Sequence, residues 1–299
     1  MASSLHCAPF SSSSGTPSIS GSSLKLGEQL TLLRFSAANP AKMNPPLRLK
    51  ASAMPQHMTT QVESSKEQNS EEILNGCSPF SNLKQRFLDF KKNKYLANIE
   101  HFQNLAQSQA PKFLVIACAD SRVCPSNILG FQPGEAFTVR QVANLVPPFE
   151  SGPSETKAAL EFSVNTLLVE NILVIGHSCC GGIRALMSME DEDDSRSFIR
   201  NWVIVGKNAR LTTKSVASNL SFDQQCRHCE KESINRSLIN LLSYPWIKER
   251  VAKGALSIHG GYYDFTDCTF EKWTLNYEGI DHKVDSENLF SIKDREFWC

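Results

Sequence analysis

Three soft donors stand out in this chain: Cys118 within Cys118-Ala-Asp-Ser-Arg122, and His177 and Cys180 within His177-Ser-Cys-Cys-Gly-Gly182. Two thiolates and an imidazole suit zinc, and three protein ligands leave a fourth position open, which is the outline of a catalytic site. Cys179 competes with Cys180 for the third place. Both lie in a turn, so only one points inward, and the glycine pair that follows sets Cys180 beside a helix start. The same residues would serve a closed zinc site with a fourth protein ligand, or buried thiols with no metal. A Cys-x-Asp-x-Arg beside a His-x-x-Cys, each after a buried strand, is hard to explain as packing.

Zinc held by two thiolates and a neutral imidazole has no net formal charge, whereas a three-histidine site leaves it at +2. Its water is then acidified less than the pKa of roughly 7 usual for catalytic zinc, so a neighbour must orient the hydroxide. Asp120 stands two residues from Cys118, on the same side of a locally extended segment. There it accepts the hydroxide's hydrogen and aims a lone pair at an electrophile. Arg122, two residues further, holds Asp120 bidentately, keeps it ionised and prevents it from taking the open zinc position itself.

The elements that must position these groups are short and oily. Lys112-Phe-Leu-Val-Ile-Ala117 precedes the first motif and Asn171-Ile-Leu-Val-Ile-Gly176 the second, and such runs read as buried parallel strands. Ligands of an open parallel sheet sit beyond the carboxyl ends of its strands, which brings the two motifs to one edge. Helical spacing of apolar residues from Phe80 to Leu105 predicts one or two amphipathic helices, with Lys91-Lys92-Asn93-Lys94 as a solvated face. A helical turn over 125–129, a strand over 135–140, a helix over 154–170 and a strand over 172–176 follow. Gly181-Gly182 opens another helix with bare N–H groups. Mixed helices fill 196–254, a strand runs over 255–265, and 269–277 reads as an antiparallel edge. The expected fold is α/β, an open and mostly parallel sheet flanked by helices. The acidic run 190–194 reads as a solvated loop.

Residues 1–55 read as an address. They are rich in Ser, with Glu28 the only acid before Met54, and this is an organelle transit-peptide profile. Met1-Ala-Ser-Ser and the scarcity of early arginines favour the chloroplast stroma over the mitochondrion; a disordered tail of a cytosolic protein is the plain alternative. Residues 56–78 read as a polar flexible segment, 79–279 as one α/β catalytic domain and 280–299 as a tail. With 31 Lys+Arg against 31 Asp+Glu, the chain lacks the basic excess that nucleic acid or an anionic membrane would require. No apolar run reaches the ~18–20 residues of a membrane span. The 10 cysteines are not spaced as a secreted disulfide framework and read as mostly free thiols plus metal ligands, with a regulatory disulfide as the alternative.

Together these motifs resemble the β-class carbonic anhydrases, the plant type in particular. The likeness runs from about Phe80 to Tyr277. It includes Phe131-Gln-Pro-Gly-Glu-Ala-Phe137, Val142-Ala-Asn-Leu145, Cys226-Arg-His-Cys229-Glu-Lys and Gly260-Gly-Tyr-Tyr-Asp264. The resemblance implies reversible hydration of CO2 to bicarbonate by zinc-bound hydroxide, with one zinc per chain on Cys118, His177 and Cys180 and with Asp120–Arg122 as the orienting dyad. It implies N-terminal helices that pack on a dimer partner, a homo-oligomer built from dimers, and an apolar pocket at the dimer interface. Gln109 would be its amide donor, Phe137 and Val142 its walls, Phe162 part of its rim, and Gly181 would present an N–H to the substrate.

Phe162 stands where plant relatives often carry tyrosine, which removes a hydroxyl from that rim. Val115 stands where some bacterial relatives carry a tryptophan belonging to an inhibitory bicarbonate site, so no such switch is expected. Cys226 and Cys229 share one helix and are read as structural or incidental rather than as a redox pair or half of a second zinc site, and His259 as a satisfied core histidine. Two other functions use the same ligands: hydrolysis of carbonyl sulfide or carbon disulfide, and a non-catalytic thiol/zinc sensor. The sensor has no need of Asp120.

Overall fold

The oily runs become the centre of a six-stranded sheet. In a computed structural model that describes residues 78–152, 154–190, 197–277 and 290–299, the strands are β1 (Phe113–Cys118), β2 (Ala136–Gln141), β3 (Asn171–His177), β4 (Ser257–Asp264), β5 (Thr269–Tyr277) and β6 (Phe290–Trp298). Their order is β2-β1-β3-β4-β5-β6. The first four are parallel, and β5 and β6 add on as antiparallel neighbours. All of these residues fall in one compact unit, Ile73–Cys299.

The helices are α1 (Pro79–Phe90), α2 (Ile99–Gln107), α3 (Pro125–Leu129), α4 (Glu155–Glu161), α5 (Gly181–Met187), α6 (Phe198–Val203), α7 (Lys207–Val216), α8 (Phe222–Leu241) and α9 (Pro245–Ala252). Because successive strand residues face opposite ways, β1 and β3 must be apolar throughout to be covered on both sides. Leu114, Ile116, Ile172 and Val174 pack with Leu160 of α4, Ile234 and Leu238 of α8 and Ile247 of α9. Val115, Ala117, Leu173 and Ile175 face the other layer, where Ile128 and Leu129 of α3 lie. The connection from β1 to β2 thus runs over one face and that from β2 to β3 over the other.

β4 crosses the sheet with two glycines because its neighbours need the space. A Cβ on Gly260 would lie 2.3 Å from the Trp273 ring, and Trp273 is fully buried. His259 is a satisfied core histidine, as expected: its ring nitrogens meet Thr274 Oγ1 at 3.1 Å and Asn171 Oδ1 at 3.3 Å.

Three features differ from the sequence reading or refine it. The helix expected over 154–170 is regular only through Glu161. It widens into a π turn over Phe162–Thr166, and a left-handed Leu168 (φ 55°) swings the chain into β3. The expected tail 280–299 contains β6, because β5 is an edge that still offers unpaired backbone groups. Lys272–Glu296 at 3.0 Å, Arg295–Glu271 at 3.2 Å and the stacked rings of Phe270 and Trp298 fasten β6 there. The N-terminal segment is helical as read, but no residue of α1 or α2 is buried, and Phe80 is 78% exposed. Most of the acidic run, like residues 1–77, lies outside the described residues. Among the described residues no helix is long and apolar enough to cross a membrane.

Candidate metal centre

Cys118 ends β1, His177 ends β3, and Cys180 precedes α5. Since β1 and β3 are paired neighbours, their carboxyl ends bring the three donors together: one ligand atom from each lies within 4.8 Å of the others, and all three residues are buried. The Cys118 and Cys180 sulfurs are 4.0 Å apart. Backbone conformation separates the two candidate thiols. Cys179 takes a left-handed φ of 54° and faces solvent, which turns Cys180 inward.

The donors fit a thiophilic dication. His177 Nδ1 lies 2.8 Å from the Ser178 carbonyl, so Nδ1 carries the hydrogen and Nε2 is left with its lone pair. That Nε2 is buried and has no hydrogen-bond partner, a state that a ligated metal would satisfy. The Cys118 thiol is held down chiefly by its pairing with Cys180, against the effect of burial. Cys180 is pushed well up by the same pairing and by burial. A dication between them would allow both sulfurs to be thiolates.

Asp120 and Arg122 form the expected fork. Arg122 Nε donates to Asp120 Oδ1 at 2.9 Å and Nη2 to Oδ2 at 2.7 Å, while the Arg122 backbone N–H also donates to Oδ1 at 3.0 Å. These bonds hold the Asp120 carboxyl at about 2. The guanidinium is fixed in turn by the Cys179 carbonyl at 3.3 Å and by the Phe265 ring, 4.4 Å below it.

The other predicted site residues divide into two groups. Val142 lies over the first turn of α5: a Cβ on Gly182 would meet Val142 Cγ1 at 2.7 Å and Ala143 Cβ at 2.8 Å, which explains the glycine there. Nothing stands within 4 Å of a Cβ built on Gly181, so its face is open. Phe137, by contrast, pairs with Leu114, four residues back along β1 and ~13 Å from its carboxyl end. Phe162 lies against Phe137, the rings tilted by 48° with centroids 5.7 Å apart. Gln109 lines a shallow pocket with Leu105 and Gly134, before the amino end of β2. A single chain therefore does not bring Gln109, Phe137 or Phe162 to its own thiolates.

Two residues missed in the sequence hold the ligand loops. Arg140 of β2 donates to the carbonyls of Cys118 at 3.0 Å and Asp120 at 2.5 Å. Glu230 of α8, 2% exposed, accepts from the Cys180 N–H at 2.9 Å and from the Tyr262 hydroxyl at 2.8 Å. Burial pushes the Glu230 carboxyl up against the pull of those two donors. A signal for Glu230 existed: it falls on the stripe Cys226, Cys229, Ser233, Ile234, Ser237, Leu238 that α8 buries. Arg140 depends on strand register, which spacing does not reveal. Cys226 and Cys229 are buried free thiols, pushed by burial up to about 11 and about 12, as suits a packing role.

A carbonic anhydrase family model matches residues 113–270, from the first residue of β1 to the second of β5, and so includes all three donors and the Asp–Arg fork. The sequence is 69% identical over 224 residues to "Beta carbonic anhydrase 5, chloroplastic" of Arabidopsis thaliana, covering 75% of this chain and 74% of that one. The chain belongs to the β-class carbonic anhydrases. It is accordingly an enzyme of that family. It is also 55% identical over 217 residues to the mitochondrial β-carbonic anhydrase 6 of the same plant, covering 72% of this chain and 73% of the relative. Its fold is similar to that of a tetrameric β-carbonic anhydrase of Sordaria macrospora, with a TM-score of 0.57 and 27% identity, covering 64% of this chain and 95% of the other.

Proposed function

We propose that this carbonic anhydrase hydrates CO2 reversibly to bicarbonate and a proton at one zinc per chain, held by Cys118, His177 and Cys180. The observation that carries this is the buried, partnerless Nε2 of His177 facing two thiols, with an ionised Asp120 two residues from the first of them. The metal when bound would supply Lewis acidity, which makes a nucleophile of water increasingly as pH rises above neutral. Asp120 accepts the hydrogen of the attacking oxygen and turns a lone pair toward the carbon of CO2. Arg122 keeps both carboxylate oxygens engaged, so that Asp120 stays in place and does not itself become a ligand. Buried thiols, Val142 and Ala143 keep the neighbourhood apolar, which suits CO2 and lets charged bicarbonate leave.

The pocket is completed by a second copy. Gln109, Phe137 and Phe162 lie away from the thiolates of their own chain, and α1 and α2 present bare apolar faces, as a shared interface would require. We place the enzyme in the chloroplast stroma. The Ser-rich, acid-poor N-terminus supports this, as does the higher identity to the relative named chloroplastic than to the one named mitochondrial.

Stopped-flow CO2 hydration with zinc content measured on the same sample tests the reading. One zinc per chain is expected, with hydration that accelerates from pH 6 to 9. Asp120→Asn should lower turnover by ~100-fold or more while retaining zinc. A zinc-loaded chain that hydrolyses carbonyl sulfide or carbon disulfide but leaves CO2 untouched would refute it, and so would a fully active Asp120→Asn.

A further inference from the structure

The three proposed ligands are not held alike. Cys118 is still in the β1 ladder, with its carbonyl bound by Arg140 and the next N–H donated to Gln141. His177 is fixed through Nδ1 on Ser178, whose own N–H donates to the Tyr263 carbonyl at 3.0 Å. Cys180 lies beyond the end of β3, after a left-handed residue, at the start of a helix that it does not cap with its side chain. Its N–H points at Glu230. The second Glu230 oxygen is locked by Tyr262, 3% exposed on β4. Burying a carboxylate against two neutral donors is unfavourable, and helix packing alone would be served by an apolar residue at this position of the α8 stripe.

We propose that Glu230 is the positioning residue of the third ligand: by accepting the Cys180 N–H from across the core, it sets the backbone that aims the Cys180 sulfur at Cys118 and His177. This rests on reading Cys180 as a metal ligand. What matters is an oxygen at the right reach. A glutamine there would keep its carbonyl on the Cys180 N–H and donate its amide to the Tyr262 oxygen, whereas alanine would leave both partners bare and aspartate would fall one methylene short.

Cadmium is the probe, because the intensity of its ultraviolet thiolate-to-metal absorption reports how many sulfurs are bound. The natural full chain should show a two-thiolate band. Glu230→Ala should lose about half of that intensity and bind cadmium ~10–100-fold more weakly in chelator competition, whereas Glu230→Gln should match the natural chain in both. A two-thiolate band of natural affinity in Glu230→Ala overturns the inference and leaves the metal centre standing, as does a Gln variant as impaired as Ala. If the Ala variant does not fold, Glu230→Asp decides: natural binding by Asp overturns the proposal. A natural chain with no thiolate band overturns the metal centre and this inference with it.

Discussion

The Asp120–Arg122 fork is half open to solvent on its arginine side, so its worth lies in geometry more than in stability. Its folded carboxyl sits at about 2, below the ordinary ~3.8–3.9, so the stabilisation it gives is present above that ordinary value and is lost as pH falls through about 2. Nothing in this titration touches pH 6–9. Removing the guanidinium with Arg122→Gln lets Asp120 return toward its ordinary value, still far below 6, and the carboxylate remains charged. The expected result is a ~10–100-fold loss of CO2 hydration from misplacement alone, with the ratio of variant to natural turnover constant from pH 6 to 9. A ratio that drifts with pH would mean that Asp120 protonation is limiting instead.

At the scale of elements, close approaches set the sheet. Gly260→Ala would place a methyl within 2.6 Å of three atoms of the buried Trp273 ring. A loss of about 1–3 kcal/mol is expected in urea denaturation, with zinc retained by the folded fraction. The strands that carry the proposed ligands were legible because a strand buried on both faces has a continuous apolar run, and the candidate chemistry was legible because Cys118, Asp120, Arg122, His177 and Cys180 lie in two short local motifs. What was illegible acts across the chain. Arg140 meets Cys118 only through strand register, Glu230 meets Cys180 only once α8 crosses β3, and β6 is recruited by a partner edge rather than by its own pattern. The π turn after Glu161 was hidden for the opposite reason: its side chains keep a helical spacing, and only the backbone widens.

For the whole molecule, the bare apolar side chains of α1 and the division of the pocket residues point the same way. Contiguous apolar faces on a soluble chain mark interaction surfaces, and Phe80, Leu83 and Phe87 are 78%, 54% and 61% exposed. Phe80→Asp with Phe87→Asp should shift the enzyme toward monomer in sedimentation, with zinc retained and CO2 hydration lowered roughly 100-fold through lost positioning. A fully active monomer would show that one chain suffices. The strand order β2-β1-β3-β4 bears on how such a molecule changes over generations. From β1 the chain leaves to one side, then returns over the opposite face to enter β3 on the other, so the segments beyond the two carboxyl ends diverge. The gap between them is inherited from connectivity and is not carved by the side chains that use it. Within 118–122 and 177–182, residues that leave the ladder and face solvent, such as Arg122 and Cys179, can change without re-registering a strand, whereas Cys118, His177 and Gly182 answer to chemistry and packing at once.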